Sequence, residues 1–275
     1  MGNQIALLRK QRGFTQDELA EKLGITAQAI SKWENGHTLP ETTLLPLLAN
    51  LLNSSIDSIL APNNTQKGDV ISFGKYLWRV LKISGEQMLI ITETTIGKAA
   101  YHDRAGDVTW EHCSLRKYLN KNFYNKFNET EKLRIIKTEI TNQSNPWYDV
   151  GHSDSTSDNI FLLSYSEVVN YFGDSGTLQN KDGFCCDENG TFIPVEKSSI
   201  CSELKYGDAI YDQYNEARKV KDSYGDDDWW WLRSPGGQGM HTSGSVGYLG
   251  EIWMCGDDAC RVDGGIRPAL WLSIK

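Results

Sequence analysis

Apolar residues recur at helical spacing through the first part of the chain and at strand spacing from Asp69 onward. Over residues 3–12, Ile5 and Leu8 share the inner face of a first helix. The run TQDELAEKLGITAQAISKWENG, Thr15 to Gly36, then predicts two short helices joined by a tight turn. Thr15 is placed to cap the first, with Glu18 reaching back to complete a capping box. Gly24 follows Leu23, where a chain leaving a helix often needs positive φ. Thr26 caps the second helix and Asn35-Gly36 ends it. At about 100° per residue, Ala29, Ile30 and Trp33 fall on a packing side of that second helix. Gln28, Ser31, Lys32 and Asn35 fall on the opposite side, with Ala27 and Glu34 between. Leu39-Pro40 opens a further segment that Leu44 to Leu52 continues, Pro46 lying near its first turn. Ser55 to Leu60 predicts a short last helix, and the uncharged stretch from Ala61 to Gln66 a linker.

The pattern then becomes strand-like. DVISFGKYLWRVLKI (Asp69 to Ile83) predicts two strands about a turn at Gly74-Lys75, and QMLIIT (Gln87 to Thr92) a third. A helix is expected from Ser114, and another capped by Asn128 with Glu131. A strand follows over Asn159 to Ser164 and a short helix over Ser166 to Phe172. Residues 173–200, rich in Gly, Asp, Asn and Ser, predict a long surface excursion, and Ala209 to Val220 a helical stretch. WWWLRS, SGSVGYL, EIWM and RPALWLSI read as closing strands. The expected organisation is an all-α helix-turn-helix domain over residues 1–60, a linker over 61–67 and an α+β domain with irregular loops over 68–275.

The outer side of the second helix carries amide, hydroxyl and ammonium groups. An Asn or Gln amide pairs bidentately with adenine in the major groove, and Lys suits guanine or phosphate. An ordinary amphipathic helix also has a solvated polar face. The combination of capping box, turn glycine and split faces favours DNA. Residues 3 to about 60 resemble the lambda-repressor and Cro-like (XRE-type) helix-turn-helix family, through LLRKQRGFTQDELAEKLGITAQAISKWENGHTLP and the tail LLPLLANLLNSSIDSIL. The resemblance implies a five-helix domain that binds a short double-stranded operator. Binding as a two-fold dimer on a pseudo-palindrome is expected. It implies that Gln16 contacts the DNA backbone, that Ala27, Gln28 and Lys32 face bases, and that Asn35 lies near phosphate. Thr26 and Ser31 complete the candidate DNA-binding set. Ala27 departs from the longer polar residue often found there and offers only an apolar contact.

Charge modifies this picture. The net charge is −8, and five basic against six acidic side chains in residues 1–60 leave most of that excess in the remainder. Indiscriminate nucleic-acid binding is thereby disfavoured, while a local site is not. Arg9, Lys10, Arg12 and Lys32 are candidates for one phosphate-facing surface. No run of about 18 apolar residues occurs, so no membrane partner is expected. The opening MGNQIALLRKQRG resembles neither a secretory leader nor a myristoylation site, so a cytoplasmic location is expected. Cys113, Cys185, Cys186, Cys201, Cys255 and Cys260 form no C-x-x-C pair and match no zinc spacing, so reduced thiols are expected. No metal and no cofactor is expected.

The later part offers weaker signals. YLWRVL, SLRKYLN, IFLLS, WWLRSPG and IRPALW together look like a bacterial domain family of uncharacterised function. The late LRS…G…RPA pattern is remotely similar to the sulfatase-modifying-factor branch of the C-type-lectin-like fold, which implies a loop-rich ligand-binding scaffold. Trp230, Arg233 and Arg267 are candidate contacts for a small molecule, glycan or protein. The competing assignment is that the tryptophans are core and the arginines organise the domain through buried hydrogen bonds. Trp229 and Trp231 should share one strand face, with Trp230 on the other. Asp226-Asp227-Asp228 is either a hard-cation site or a solvated loop. Gly173-Asp174-Ser175-Gly176 suits a turn, and also resembles the surroundings of a nucleophilic serine, with Ala105-Gly106 as a bond for self-cleavage. The expected function is a sequence-specific, non-enzymatic transcriptional regulator whose later domain senses a ligand or supplies a dimer contact. The alternatives are an enzyme or a lectin-like module that uses the helix-turn-helix domain for targeting.

Overall fold

Thr15 and Glu18 fix the first sharp entry into a helix. The Thr15 hydroxyl accepts the Glu18 amide at 3.1 Å, and the Glu18 carboxylate accepts the Thr15 amide at 2.7 Å. That amide, followed by the Thr15 hydroxyl, holds the Glu18 carboxyl below its ordinary range. Thr15→Ala removes one half of the box. It is expected to cost about 1 kcal/mol, read as a lower urea midpoint for loss of helical ellipticity. The computed structural model describes residues 1–54, 56, 59, 65–151, 154–181, 183–186, 192–194 and 206–274, with backbone alone at 3, 184–186, 192–194, 206 and 207.

The chain divides into two units, Met1–Lys75 and Tyr76–Lys275. In the first, α1 (Gly2–Gln11), α2 (Gln16–Leu23) and α3 (Ala27–Glu34) are followed by a 3-10 turn, Thr42–Leu44, and α4 (Leu45–Leu51). Gly24 closes α2 at φ 69° and ψ 30°, a left-handed conformation that costs a glycine nothing. Thr26 accepts the Ala29 amide at 3.2 Å and opens α3 two residues later. The stripe of apolar positions meets in one core of Ile5, Leu19, Leu23, Ile30, Trp33 and Leu48, with Leu8 packed against it. Most of the helix expected over Ser55 to Leu60, and residues 61–64 of the expected linker, lie outside the described residues.

Fifteen strands are described: β1 (Val70–Phe73), β2 (Tyr76–Ser84), β3 (Gln87–Thr92), β4 (Ile135–Ile136), β5 (Thr138–Asn142), β6 (Asp154–Asp158), β7 (Phe184–Cys186), β8 (Phe192–Pro194), β9 (Tyr206–Ile210), β10 (Val220–Lys221), β11 (Asp227–Asp228), β12 (Trp230–Pro235), β13 (Thr242–Val246), β14 (Ile252–Asp258) and β15 (Ala269–Ser273). Within the second unit, one sheet runs β2-β3-β15-β4 and another β12-β13-β14-β9-β7-β8, with β10–β11 and β5–β6 as separate pairs. Their ladders are antiparallel. The first sheet joins distant sequence, Leu270 opposite Ile90 and Trp271 opposite Leu89. This is an α+β arrangement with short helices between strands, the class expected.

Four stretches differ from expectation. Residues 173–200 are not simply a surface excursion: they hold a helical turn, Thr177–Asn180, with Leu178 buried, and strands β7 and β8, which β9 draws into the sheet. The stretch from Ser114 is helical, but it changes from an α turn (Ser114–Lys117) to a π turn (Tyr118–Phe123) and then a 3-10 turn (Tyr124–Lys126). Within the π turn, the Asn120 side chain bonds the backbone of Asn159 and Ile160. Asn159 to Ser164 is consequently no ladder strand. Asn120 takes its first backbone groups, Arg233 takes the Leu162 carbonyl at 2.8 Å, and only Phe161 bridges to Ala269. Finally, Ala209 and Ile210 belong to β9, where both are fully buried, and helix is confined to Asn215–Arg218. Burial on both faces of a strand removed the alternation that would have marked it.

Candidate nucleic-acid interface

Two short helices and one turn set the geometry of α3. Ile30 is 0% and Trp33 6% exposed, whereas Gln28, Lys32 and Asn35 stand at the surface and Ser31 is half-buried. Asn35 donates to the Ser31 hydroxyl at 3.3 Å, which ties two of the outer polar groups together. Thr26 is exposed at the mouth of the helix, with its hydroxyl engaged by the Ala29 amide. Ala27 is half-buried and its methyl packs against the core. The outer side of α3 therefore offers an amide, a hydroxyl, an ammonium and a second amide on a short rigid element.

Glu34 carries more than its position on the wheel suggests. It is buried, and both its oxygens accept from Arg9, Oε1 from Nε at 2.6 Å and Oε2 from Nη2 at 3.0 Å. Arg9 also donates to the Phe14 carbonyl at 2.6 Å. Gln16 completes the group, its amide donating to Glu34 Oε2 at 2.7 Å. The start of α2 is thus tied to the end of α3 and to α1 through one carboxylate. Arg9 must be removed from the expected phosphate-facing surface: its guanidinium is buried and committed to Glu34. Lys10, Arg12 and Lys32 remain exposed.

The candidate ligand residues of the second unit lie inside it. Trp230 is fully buried, donates from its indole to the Arg218 carbonyl at 3.2 Å, and packs beneath the Arg267 guanidinium 4.9 Å from its ring centre. Arg267 donates to the carbonyls of Thr92 at 3.1 Å and Arg218 at 3.3 Å, and burial lowers its pKa to about 10. Arg233 pairs with Glu167 and donates to the carbonyl of Leu162. All three side chains organise the interior, and none presents a free face. Trp229 and Trp231 do share a face, with ring centres 4.8 Å apart.

The other two motifs also resolve. The Ser175 hydroxyl donates to Asp212 at 2.6 Å, and Asp212 pairs with buried Arg218 at 2.9 Å. Burial raises the Asp212 carboxyl, but the hydrogen bonds from Arg218 and Ser175 win and hold it below its ordinary range. Ser175 is thus tied to a carboxylate–guanidinium pair, and Gly176 beside it is left-handed, as a turn requires. Asp228 is buried and bound to Lys98 at 3.1 Å and Thr95 at 2.9 Å, while Asp226 and Asp227 are exposed. Among the described residues no group of three or more metal-ligating side chains converges. Cys113 is buried, and burial pushes its thiol up to about 12. Cys201 and the side chains of Cys185 and Cys186 lie outside the described residues.

A family model described as a domain of unknown function, DUF6273, matches residues 85–274, more than half of the chain. The chain belongs to the DUF6273 family. A helix-turn-helix model, HTH_3, matches residues 5–59 ahead of the DUF6273 region. The first domain is a helix-turn-helix domain of the XRE type. Over 61 residues it is 34% identical to the uncharacterized HTH-type transcriptional regulator YazB of Bacillus subtilis, covering 22% of this chain and 88% of YazB. It is 36% identical over 67 residues to the HTH-type transcriptional regulator ImmR of the same organism, covering 24% of this chain and 53% of ImmR. The chain thus spans about half of ImmR. The P22 c2 repressor solved with synthetic operator 9T is 33% identical, covers 22% of this chain and 91% of that one, and superposes with a TM-score of 0.21. No helix among the described residues is long and apolar enough to cross a membrane.

Proposed function

We propose that this protein is a sequence-specific DNA-binding transcriptional regulator in which α3 reads the major groove. The observation that carries the reading is the split of α3 into a buried Ile30–Trp33 side and an outer side of Gln28, Ser31, Lys32 and Asn35. Gln28 is the base-reading amide, Lys32 serves bases or phosphate, and Asn35 lies by phosphate. Thr26 sits at the helix entry, and Ala27 offers its remaining methyl surface to a thymine. Gln16 contacts the DNA backbone from an orientation set by Glu34. The DUF6273 domain senses a ligand or supplies the contact of a two-fold dimer. The relatives named HTH-type transcriptional regulators support the first part of this reading.

The test is selection of bound sequences from random duplex DNA by the full chain. A palindromic motif is expected. Gln28→Ala should then cost about 1–3 kcal/mol and relax discrimination at one base pair, whereas Lys32→Ala should weaken all sequences and reduce the salt slope by about one. Equal affinity of both variants for operator and scrambled DNA would defeat the assignment. Sedimentation of the full chain with and without operator measures the dimer directly.

A further inference from the structure

The second unit contains a cleft of about 370 Å³ at the end of the β13–β14 hairpin. Trp229, Tyr248 and Trp253 line it, together with Glu251, Asp257 and Arg261. Its size is that of a pocket for a small ligand. The charges in and around it do not balance. Arg261 is the cation of the group and is already engaged three times. It pairs with Asp257 at 2.6 Å, forks onto Asp263 at 3.1 and 2.8 Å, and lies 4.5 Å from the Trp229 ring centre. Asp257 also accepts the Ser245 hydroxyl at 2.6 Å.

Glu251 has no such cation among the described residues. It is 6% exposed, and its two oxygens accept from neutral donors, the Trp253 indole at 3.0 Å and the Leu249 amide at 2.9 Å. No basic side chain among the described residues forms an ion pair with it. Both donors are groups that only donate, so the oxygens they meet are held as acceptors, the arrangement that suits a carboxylate. Burial, with the nearby Asp257 charge, raises the Glu251 carboxyl above its ordinary range. An ionised group in that position gains from an added positive charge. The backbone is shaped for it: a Cβ on Gly247 would stand 2.0 Å from Glu251 Oε1 and 2.8 Å from the Trp253 indole nitrogen.

We propose that this cleft binds a small organic cation, an alkylammonium or guanidinium head on a short apolar stem, with Glu251 as its counter-charge and Trp253 and Tyr248 as its aromatic wall. Aromatic faces attract such a head while the stem replaces water on the ring surfaces. A neutral sugar would stack but leave Glu251 uncompensated, and an anion would meet excess negative charge. A bare metal ion lacks its usual cluster of oxygen ligands here. The same head can arrive on a free amine or on a lysine side chain of a peptide. Only the consequence at the operator rests on the sensor reading proposed above; the binding itself does not.

The experiment titrates the full chain with butylamine, butylguanidine and a glycine-flanked, end-capped lysine peptide. It follows heat and tryptophan fluorescence, with butanol, butanoate and methyl glucoside as controls. Saturable binding of a cationic probe is expected, about tenfold or more tighter than butanol, and Glu251→Gln should lose about that factor. Glu251→Gln should keep the near-ultraviolet circular dichroism and the ligand-free operator affinity of the parent. Tyr248→Ala, at a 48% exposed position, removes part of the wall without touching the core and should weaken the same probe. Binding by butylamine upholds a free-amine source, and binding by the peptide alone upholds a lysine side chain. Saturation by none of the cations, equal binding of butanol or the glucoside, or unchanged affinity in both variants would overturn the site. Operator affinity measured with and without saturating amine is a separate arm. An unchanged value beside intact amine binding sinks the sensor role and leaves the cation site standing.

Discussion

Glu34→Ala should destabilise the helix-turn-helix unit by about 3–5 kcal/mol, because it leaves the buried Arg9 guanidinium without its carboxylate. A unit of this size has little stability to spare, since small domains bury a smaller share of their surface. Much of it should therefore unfold near room temperature. Amide exchange over α1 to α3 reads the loss directly, separate from the second unit. The cause is testable by a double replacement. Arg9→Met with Glu34→Leu removes both charges and should recover most of the lost stability, as apolar replacement of a buried pair often does. The double variant also frees the Gln16 amide, which donates to Glu34 in the parent. Operator affinity should then fall although the helices are restored. A cost below about 1 kcal/mol for Glu34→Ala would mean that the pair behaves as a surface one in solution, and Gln16 would lose its assigned support.

Trp230→Ala should cost the second unit about 3–5 kcal/mol, the usual range for emptying the space of a buried aromatic. Its ring is fully enclosed, with the Arg267 guanidinium on it and Phe172 at a centre distance of 6.3 Å. The loss reaches beyond volume. Arg267 would lose the nearer of its two aromatic faces, keeping Phe172 at 5.4 Å, and the Arg218 carbonyl would lose the indole donor. Trp230→Phe keeps an aromatic body and loses that hydrogen bond, so it should cost distinctly less. Urea unfolding followed by near-ultraviolet circular dichroism measures both variants. An unchanged midpoint for Trp230→Ala would return Trp230 to the surface as a ligand platform.

The local signals in the first unit read true because they are local. A capping hydroxyl, a carboxylate three residues on and a glycine with positive φ act within a single turn, so their residues name the element. The same holds for Asn128 with Glu131, which form a reciprocal cap. Ser164 with Glu167 form another, at a residue expected to end a strand, the helix being expected to start only at Ser166. The Ser175 turn and the shared face of Trp229 and Trp231 were legible for similar reasons. Arg9 was misplaced because its partner is 25 residues away on another helix. Nothing in a basic residue at a helix end distinguishes a phosphate contact from a buried ion pair.

The cleft went unread for a related reason. Glu251 precedes the short apolar run Ile252–Met254, where an acid looks like the polar edge of a strand. Its two hydrogen-bond donors, Leu249 and Trp253, are each two residues away, but its burial depends on β14 being held between β13 and the distant β9, which no local window contains. The alternating Trp229, Trp230 and Trp231 similarly specify two faces without saying what covers either.

By itself the sequence determined the helix-turn-helix unit, its caps and turn, the outer polar residues of α3 and the strand-rich character of the rest. These follow from interactions within a turn or from side-chain periodicity. The tertiary structure alone decided that Glu34 gathers Arg9 and Gln16, that Trp230, Arg233 and Arg267 face inward, and that Glu251, beside aromatic walls, has no ion-pair partner among the described residues. Burial and charge pairing are set by the groups that long-range folding brings alongside, and the cost of an unpaired charge arises only once water has been removed from around it.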